Sequence, residues 1–149
     1  MLLKRTIAAA LLLAMLCATP AMASASQSRQ VVAVALKQLG TPYALYSDAP
    51  NSFNCASFVT YCFNQVSSGT ISKSGISGGY SRVSSVNNLK TGDVLCFKTA
   101  RSEQGILNYH FGIYIGNGRF IHASTTADKV TISKLSNYKK RFLGAVRIF

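Results

Sequence analysis

The chain has 149 residues, 48% of them hydrophobic, and 16 Lys and Arg against 4 Asp and Glu give it a formal charge of +12. That length closes one hydrophobic core and leaves no room for two full domains. The positive balance favours polyanionic partners whatever the fold, yet the basic residues are scattered apart from Lys139-Lys140-Arg141, so a nucleic-acid interface is not expected.

In chain order, Lys4 and Arg5, the apolar run from Ile7 to Leu16 and the small-residue pattern Ala21-Met22-Ala23 read as a secretory signal over residues 1–25. The apolar run is about half of the roughly 20 residues a spanning helix needs, so a cleaved leader is expected, with no stable membrane insertion afterwards. Residues 26–149 then form one domain; it loses Lys4 and Arg5, and its charge becomes +10. Cys17 leaves with the leader. Cys55, Cys62 and Cys96 remain, an odd number, so at least one thiol is unpaired or pairs between molecules. A Cys62 to Cys96 bridge would satisfy parity.

Val31, Val32, Val34, Ala35, Leu36 and Leu39 have helical spacing and stop at Gly40, which predicts a helix from about Gln27 to Leu39. Gly40-Thr41-Pro42 is a turn, followed by a loop from Tyr43 to Ser52. Cys55, Phe58, Val59, Cys62 and Phe63 recur every three or four residues, one face of a second helix with Cys55 in its first turn and capping residues at Asn51 to Asn54. Ser67 to Ser85, rich in Ser and Gly, reads as an exposed, mobile loop. Short strands follow: Asp93 to Lys98, His110 to Ile115, Arg119 to Ala123, Val130 to Ser133 and Leu143 to Ile148. Asn117-Gly118 makes a hairpin turn between the second and third. Helices first and antiparallel strands afterwards make an α+β domain.

A thiol attacks as its thiolate, a form favoured by a helix N-terminus and a neighbouring imidazole. Cys55 meets the first condition, whereas Cys62, seven residues along the same face, suits a buried core position. The two histidines of the chain, His110 and His122, flank the Asn117-Gly118 turn, so a tight hairpin brings them to one end of the strand pair. Acting in series, His110 takes the thiol proton and His122 hydrogen-bonds the far ring nitrogen to hold its tautomer. A metal site built on one Cys and two His needs a fourth ligand or an open position. The few acids sit in turns and there is no Cys-x-x-Cys pair, so neither a metal nor a cofactor is expected.

Four segments carry a resemblance. Phe53-Asn54-Cys55-Ala56-Ser57-Phe58-Val59 resembles the F-D-C-S-G-F-V nucleophile motif of the NlpC/P60 cell-wall peptidases, and Leu39-Gly40-Thr41-Pro42-Tyr43 is similar to that family's L-G-x-P-Y. Leu89 to Leu95 resembles its L-x-x-G-D-L strand. His110-Phe111-Gly112-Ile113-Tyr114-Ile115-Gly116-Asn117-Gly118 followed by Ile121-His122-Ala123 is similar to its H-V-G-I-Y-I-G-N-G and I-H-A segments. The resemblance implies a papain-like core, N-terminal helices packed on an antiparallel β-sheet, and a catalytic triad of Cys55, His110 and His122. It also implies that Tyr43 lies beside the nucleophile, where it polarises the reacting carbonyl or binds substrate. Asn54 and Ser57, which flank the nucleophile, are the other substrate-binding candidates, and the backbone N–H of Cys55 is an oxyanion donor.

The family's Asp before the nucleophile and Ser after it, which bind the free amine of a trimmed stem peptide, are here Asn54 and Ala56. Without that charge-assisted hydrogen bond, the preference for a free N-terminal amine is expected to weaken by about 1.5–3 kcal/mol. The activity implied is hydrolysis of an amide bond in peptidoglycan stem peptides by a secreted enzyme in the cell wall or periplasm, held on anionic wall polymers by its cationic surface. Two other readings are a CHAP-like amidase, whose third residue is usually Asn, Asp or Glu, and a non-catalytic wall-binding module.

Overall fold

The computed structural model describes residues 20–72, 75–76, 80–101 and 107–149, so most of the expected leader lies outside the described residues. Helix α1 (Pro20–Lys37) begins earlier than the expected Gln27. Proline at a first helical position forfeits no hydrogen bond, and Ala21, Ala23 and Ala25 are strong helix formers. Val31 and Ala35, one turn apart, are its buried residues. Among the described residues no helix is long and apolar enough to cross a membrane.

Helix α2 (Cys55–Asn64) starts at a reciprocal cap. The Ser57 N–H donates to Asn54 Oδ1 (2.8 Å) and the Asn54 N–H donates to Ser57 Oγ (3.0 Å), which satisfies two backbone donors and is worth about 1 kcal/mol. Phe58, Val59, Cys62 and Phe63 are buried, so the expected apolar face is the real one.

The strands that follow are β1 (Ile71–Ser72), β2 (Gly75–Ile76), β3 (Ser81–Val83), β4 (Val94–Arg101), β5 (Leu107–Gly116), β6 (Arg119–Ser124), β7 (Lys129–Lys134) and β8 (Phe142–Arg147). β1 and β2 form a small ladder of their own; the other six make one antiparallel sheet in the order β3-β8-β4-β5-β6-β7. Asn117 (φ 51°) and Gly118 (φ 64°) turn β5 into β6 with both central residues at positive φ, as an Asn-Gly hairpin requires.

The stretch expected to be an exposed loop, Ser67 to Ser85, instead contributes β1, β2 and the sheet-edge strand β3. Its order comes from distant partners. The Asn64 side chain donates to Ile71 O (2.7 Å) and accepts from Ile71 N (3.0 Å), and β3 pairs with β8 some 60 residues on. Neither contact leaves a periodic trace in a Ser- and Gly-rich segment.

Period-2 alternation sorts the sheet's side chains to two faces. One face, with Val94, Ile113, Ile121, Ala123 and Val130, packs against α1 and α2. The other carries Leu95, Phe97, Phe120 and Ala145, covered by the 3-10 segment Leu135–Arg141. Where β4 and β8 run side by side, the buried Asp93 is held by Arg147 through Nε–Oδ1 (2.8 Å) and Nη2–Oδ2 (2.7 Å), and also accepts the Lys90 N–H (2.8 Å). The Gly-Asp of the strand motif is thus a structural clasp, and removing one partner of such a pair costs about 3–5 kcal/mol. Cys55, Cys62 and Cys96 are all free thiols, so the bridge that parity would allow between Cys62 and Cys96 is not formed.

Candidate active site

The nucleophile candidate and the histidines come from opposite faces of the sheet. Cys55 opens α2 on the helix-covered side, half-buried, with its thiol directed to the carbonyl oxygen of Tyr109 at 3.9 Å. As the first helical residue its N–H has no intrahelical acceptor. The sulfur therefore sits against the backbone of β5 one residue before His110, and its contact is with that carbonyl rather than with the imidazole.

His110 lies directly across from Phe97 in the β4–β5 ladder, which turns its ring to the aromatic face. Its Nε2 is 2.7 Å from His122 Nδ1, and His122 Nε2 is in turn 2.9 Å from Ser133 Oγ on β7. Phe97, Phe120 and Tyr138 surround the pair. The Tyr138 ring lies 5.7 Å from that of His122 and 6.5 Å from that of His110, and Arg141 stacks on Tyr138 at 4.5 Å.

Close packing here depends on Gly112. A methyl at that position would fall 2.6 Å from Phe120 Cδ2, 3.1 Å from Ile121 O and 3.2 Å from His122 Cβ.

Burial, and then the Arg141 guanidinium, lowers His110 to about 4. Burial, His110 and Arg141 together lower His122 to about 3. With His122 1% exposed, both rings are neutral at pH 7, and each hydrogen bond in the chain carries one proton.

Tyr43 is fixed at the other side of Cys55. It pairs in parallel with Phe53, two residues before the cysteine, and its N–H donates to Asp128 O (3.0 Å). Burial and then the nearby Cys55 raise its phenol above the ordinary value; the same two causes raise Cys96, so both groups lie within the electrostatic reach of Cys55.

Asn54 and Ser57 are the reciprocal cap of α2. Asn54 also ties down the preceding loop, its Nδ2 donating to Leu45 O (3.0 Å). A groove of about 1250 Å³ runs alongside α2, lined by Asn54, Ala56, Ser57, Thr60, Cys96 and Leu143 among others; Asn54 and Ala56, the residues on either side of Cys55 in the chain, both line it. Among the described residues no three His, Cys, Asp or Glu side chains gather as a metal site.

Sequence reasoning missed Ser133, Tyr138 and Arg141. A polar residue near the end of a strand and a Tyr four residues into a basic turn carry no motif. The sheet register brings Ser133 to the histidines, and the 3-10 segment packed over that face brings Tyr138 and Arg141.

A helix opening on a cysteine, packed on an antiparallel sheet that carries paired histidines, defines the papain-like α+β class. Residues 40–147 match the NlpC/P60 family, and the chain belongs to it. It is 36% identical over 120 residues to LytE of Bacillus subtilis (strain 168), described as a probable peptidoglycan endopeptidase; the match covers 79% of this chain and 34% of LytE. It is 30% identical over 118 residues to YafL of Escherichia coli (strain K12), a probable endopeptidase, covering 75% of this chain and 46% of YafL. This chain thus spans less than half the length of either relative. Among solved structures, the NlpC/p60 domain of the peptidoglycan hydrolase SagA superposes with a TM-score of 0.61 at 30% identity, covering 80% of this chain and 97% of that one. RipB of Mycobacterium tuberculosis, at 22% identity and a TM-score of 0.61 over 87% of this chain and 67% of its own, shares the fold.

Proposed function

We propose that the protein is a secreted cysteine peptidase that hydrolyses an amide bond in peptidoglycan stem peptides, with Cys55 as nucleophile, His110 as base and then acid, and His122 as the residue that orients His110. The observation that carries this reading is the 2.7 Å His110–His122 hydrogen bond at the strand end where the Cys55 thiol lies. Because His110 uses Nε2 toward His122, its Nδ1 is the nitrogen left for the thiol proton. Catalytic hydrogen bonds are commonly long before substrate arrives, and the Cys55–His110 contact forms as the acyl group is bound.

The sulfur then attacks the carbonyl carbon while His110 holds the proton, and the oxyanion is met by the Cys55 N–H and the Tyr43 phenol. Collapse expels the amine, which takes the proton from His110. Water, deprotonated by the same ring, hydrolyses the thioester. Asn54 and Ser57 line the groove that takes part of the peptide. The leader reading of residues 1–25 places the enzyme in the cell wall or periplasm, where its cationic surface holds it on anionic wall polymers. That attachment weakens with salt while turnover of a small soluble peptide does not. The names of LytE and SagA support peptidoglycan as the substrate.

The test is mass spectrometry of purified peptidoglycan incubated with wild type and Cys55→Ala under reducing conditions. Wild type should yield fragments that have gained one water at a single amide position. Cys55→Ala should lose activity by roughly 10⁴-fold or more while keeping its fold. Intact muropeptides after incubation with wild type would make the protein a wall-binding module instead.

A further inference from the structure

The hydrogen-bonded chain at the site does not stop at His122. Ser133 is the pairing partner of Phe120, two residue pairs along the β6–β7 ladder from His122–Thr131 and so on the same face, and its hydroxyl faces the His122 ring across the strands. We propose that Ser133 is a positioning residue: by accepting the Nε2–H of His122, it holds both histidines in the tautomer that leaves a lone pair on His110 Nδ1. This deepens the triad reading and rests on it.

The reasoning is a count of protons. Each neutral imidazole carries one N–H, and the rings share a single hydrogen bond of 2.7 Å. In one arrangement His110 donates from Nε2 to His122 Nδ1, and His122 donates from Nε2 to Ser133 Oγ. His110 Nδ1 then carries a lone pair that can take the thiol proton. In the reverse arrangement Ser133 donates to His122 Nε2, His122 donates from Nδ1 to His110 Nε2, and the proton of His110 sits on Nδ1, where it cannot accept another.

The hydroxyl makes the first arrangement possible, since it satisfies a buried N–H that would otherwise point into an aromatic wall. Without it, an orphaned donor at Nε2 is worse than an orphaned lone pair, so His122 moves its proton to Nδ1 and the train reverses. Ser133 is half-buried, so its own hydroxyl proton can turn outward.

The experiment uses the full chain labelled with ¹⁵N-histidine, as wild type, Ser133→Ala, Ser133→Thr and Cys55→Ala. Two-bond ¹H–¹⁵N spectra at neutral pH report each tautomer, and turnover of a soluble stem peptide gives kcat and KM. Wild type should show Nε2–H on both histidines. Ser133→Ala should shift them toward Nδ1–H and lower kcat roughly 100-fold with KM little changed, because the base is misprotonated and the groove untouched. Ser133→Thr, which keeps the hydroxyl on a strand-favouring side chain, should restore both readouts.

The proposal is overturned if wild type carries Nδ1–H on His110, if Ser133→Ala keeps the wild-type tautomers, or if Ser133→Thr fails to restore them. Cys55→Ala separates the two claims. Undiminished turnover in that variant removes the hydrolase reading alone, while the tautomer spectra, which need no substrate, still decide the role of Ser133.

Discussion

The two faces of the sheet are packed by different means. The helix-covered face is a continuous apolar core in which Phe58, Val59, Cys62 and Phe63 of α2 meet Ile113, Ile121 and Ala123. The opposite face is an aromatic box closed by a short 3-10 segment, with two imidazoles and a serine inside it. A buried polar group is tolerated only when its hydrogen bonds are made, and here the histidines make them with each other and with Ser133. The first face holds the helix of Cys55 in place, and the second holds the imidazole protons. Damage to one should therefore read out as stability and damage to the other as chemistry.

The largest stability effect belongs to the helix face. Phe63→Ala removes a side chain that is 1% exposed and stacks on Phe149 at 5.8 Å, and it should cost about 3–5 kcal/mol in denaturant melts. Phe63 lies at the far end of α2 from Cys55, so kcat per folded molecule should hold. A matching collapse of kcat would break the division between the faces.

Gly112→Ala is the converse probe. Its methyl group meets backbone and the His122 Cβ, so overpacking should cost about 1–3 kcal/mol while activity falls well beyond what unfolding explains. Unchanged kcat in a destabilised variant would show that the box tolerates movement of His122.

The most gradual effect is in pH. Both histidines titrate lower in the fold than the ordinary value near 6.5, His110 at about 4 and His122 at about 3, so between about pH 6.5 and 3 the unfolded chain binds more protons than the native one. Stability is fully present above that window and declines as pH falls through it, with a slope of at most about 1.4 kcal/mol per pH unit for each proton taken up. Urea midpoints measured across the range should fall accordingly, and His122→Phe should flatten the decline. A flat wild-type profile would mean that the rings are not held neutral by burial.

Much of the fold was legible in the residues. The helix carrying Cys55, its cap, five of the sheet's six main strands and the Asn117-Gly118 turn all follow from short-range patterns, namely apolar periods of 3.6 and 2 and a dipeptide that accepts positive φ. The segment from Ser67 to Ser85 did not, because β3 exists only by pairing with β8, and the β1 end is held by the Asn64 side chain. The pairing of His110 with His122 was readable because a hairpin is local. The thiol's contact with Tyr109 was not, since it spans 54 residues and depends on how α2 lies across β5.

The order of residues by itself determined where helices start, where chains turn and which side chains alternate to a common face, because those preferences are set within a few residues by backbone sterics and local hydrogen bonds. Only the tertiary structure decided that Ser133 ends the histidine chain, that Tyr138 and Arg141 wall it in and that Asp93 is clasped by Arg147. Each of these contacts joins positions that no local rule relates. They meet because six strands settle into one register, chosen by the burial of both faces at once.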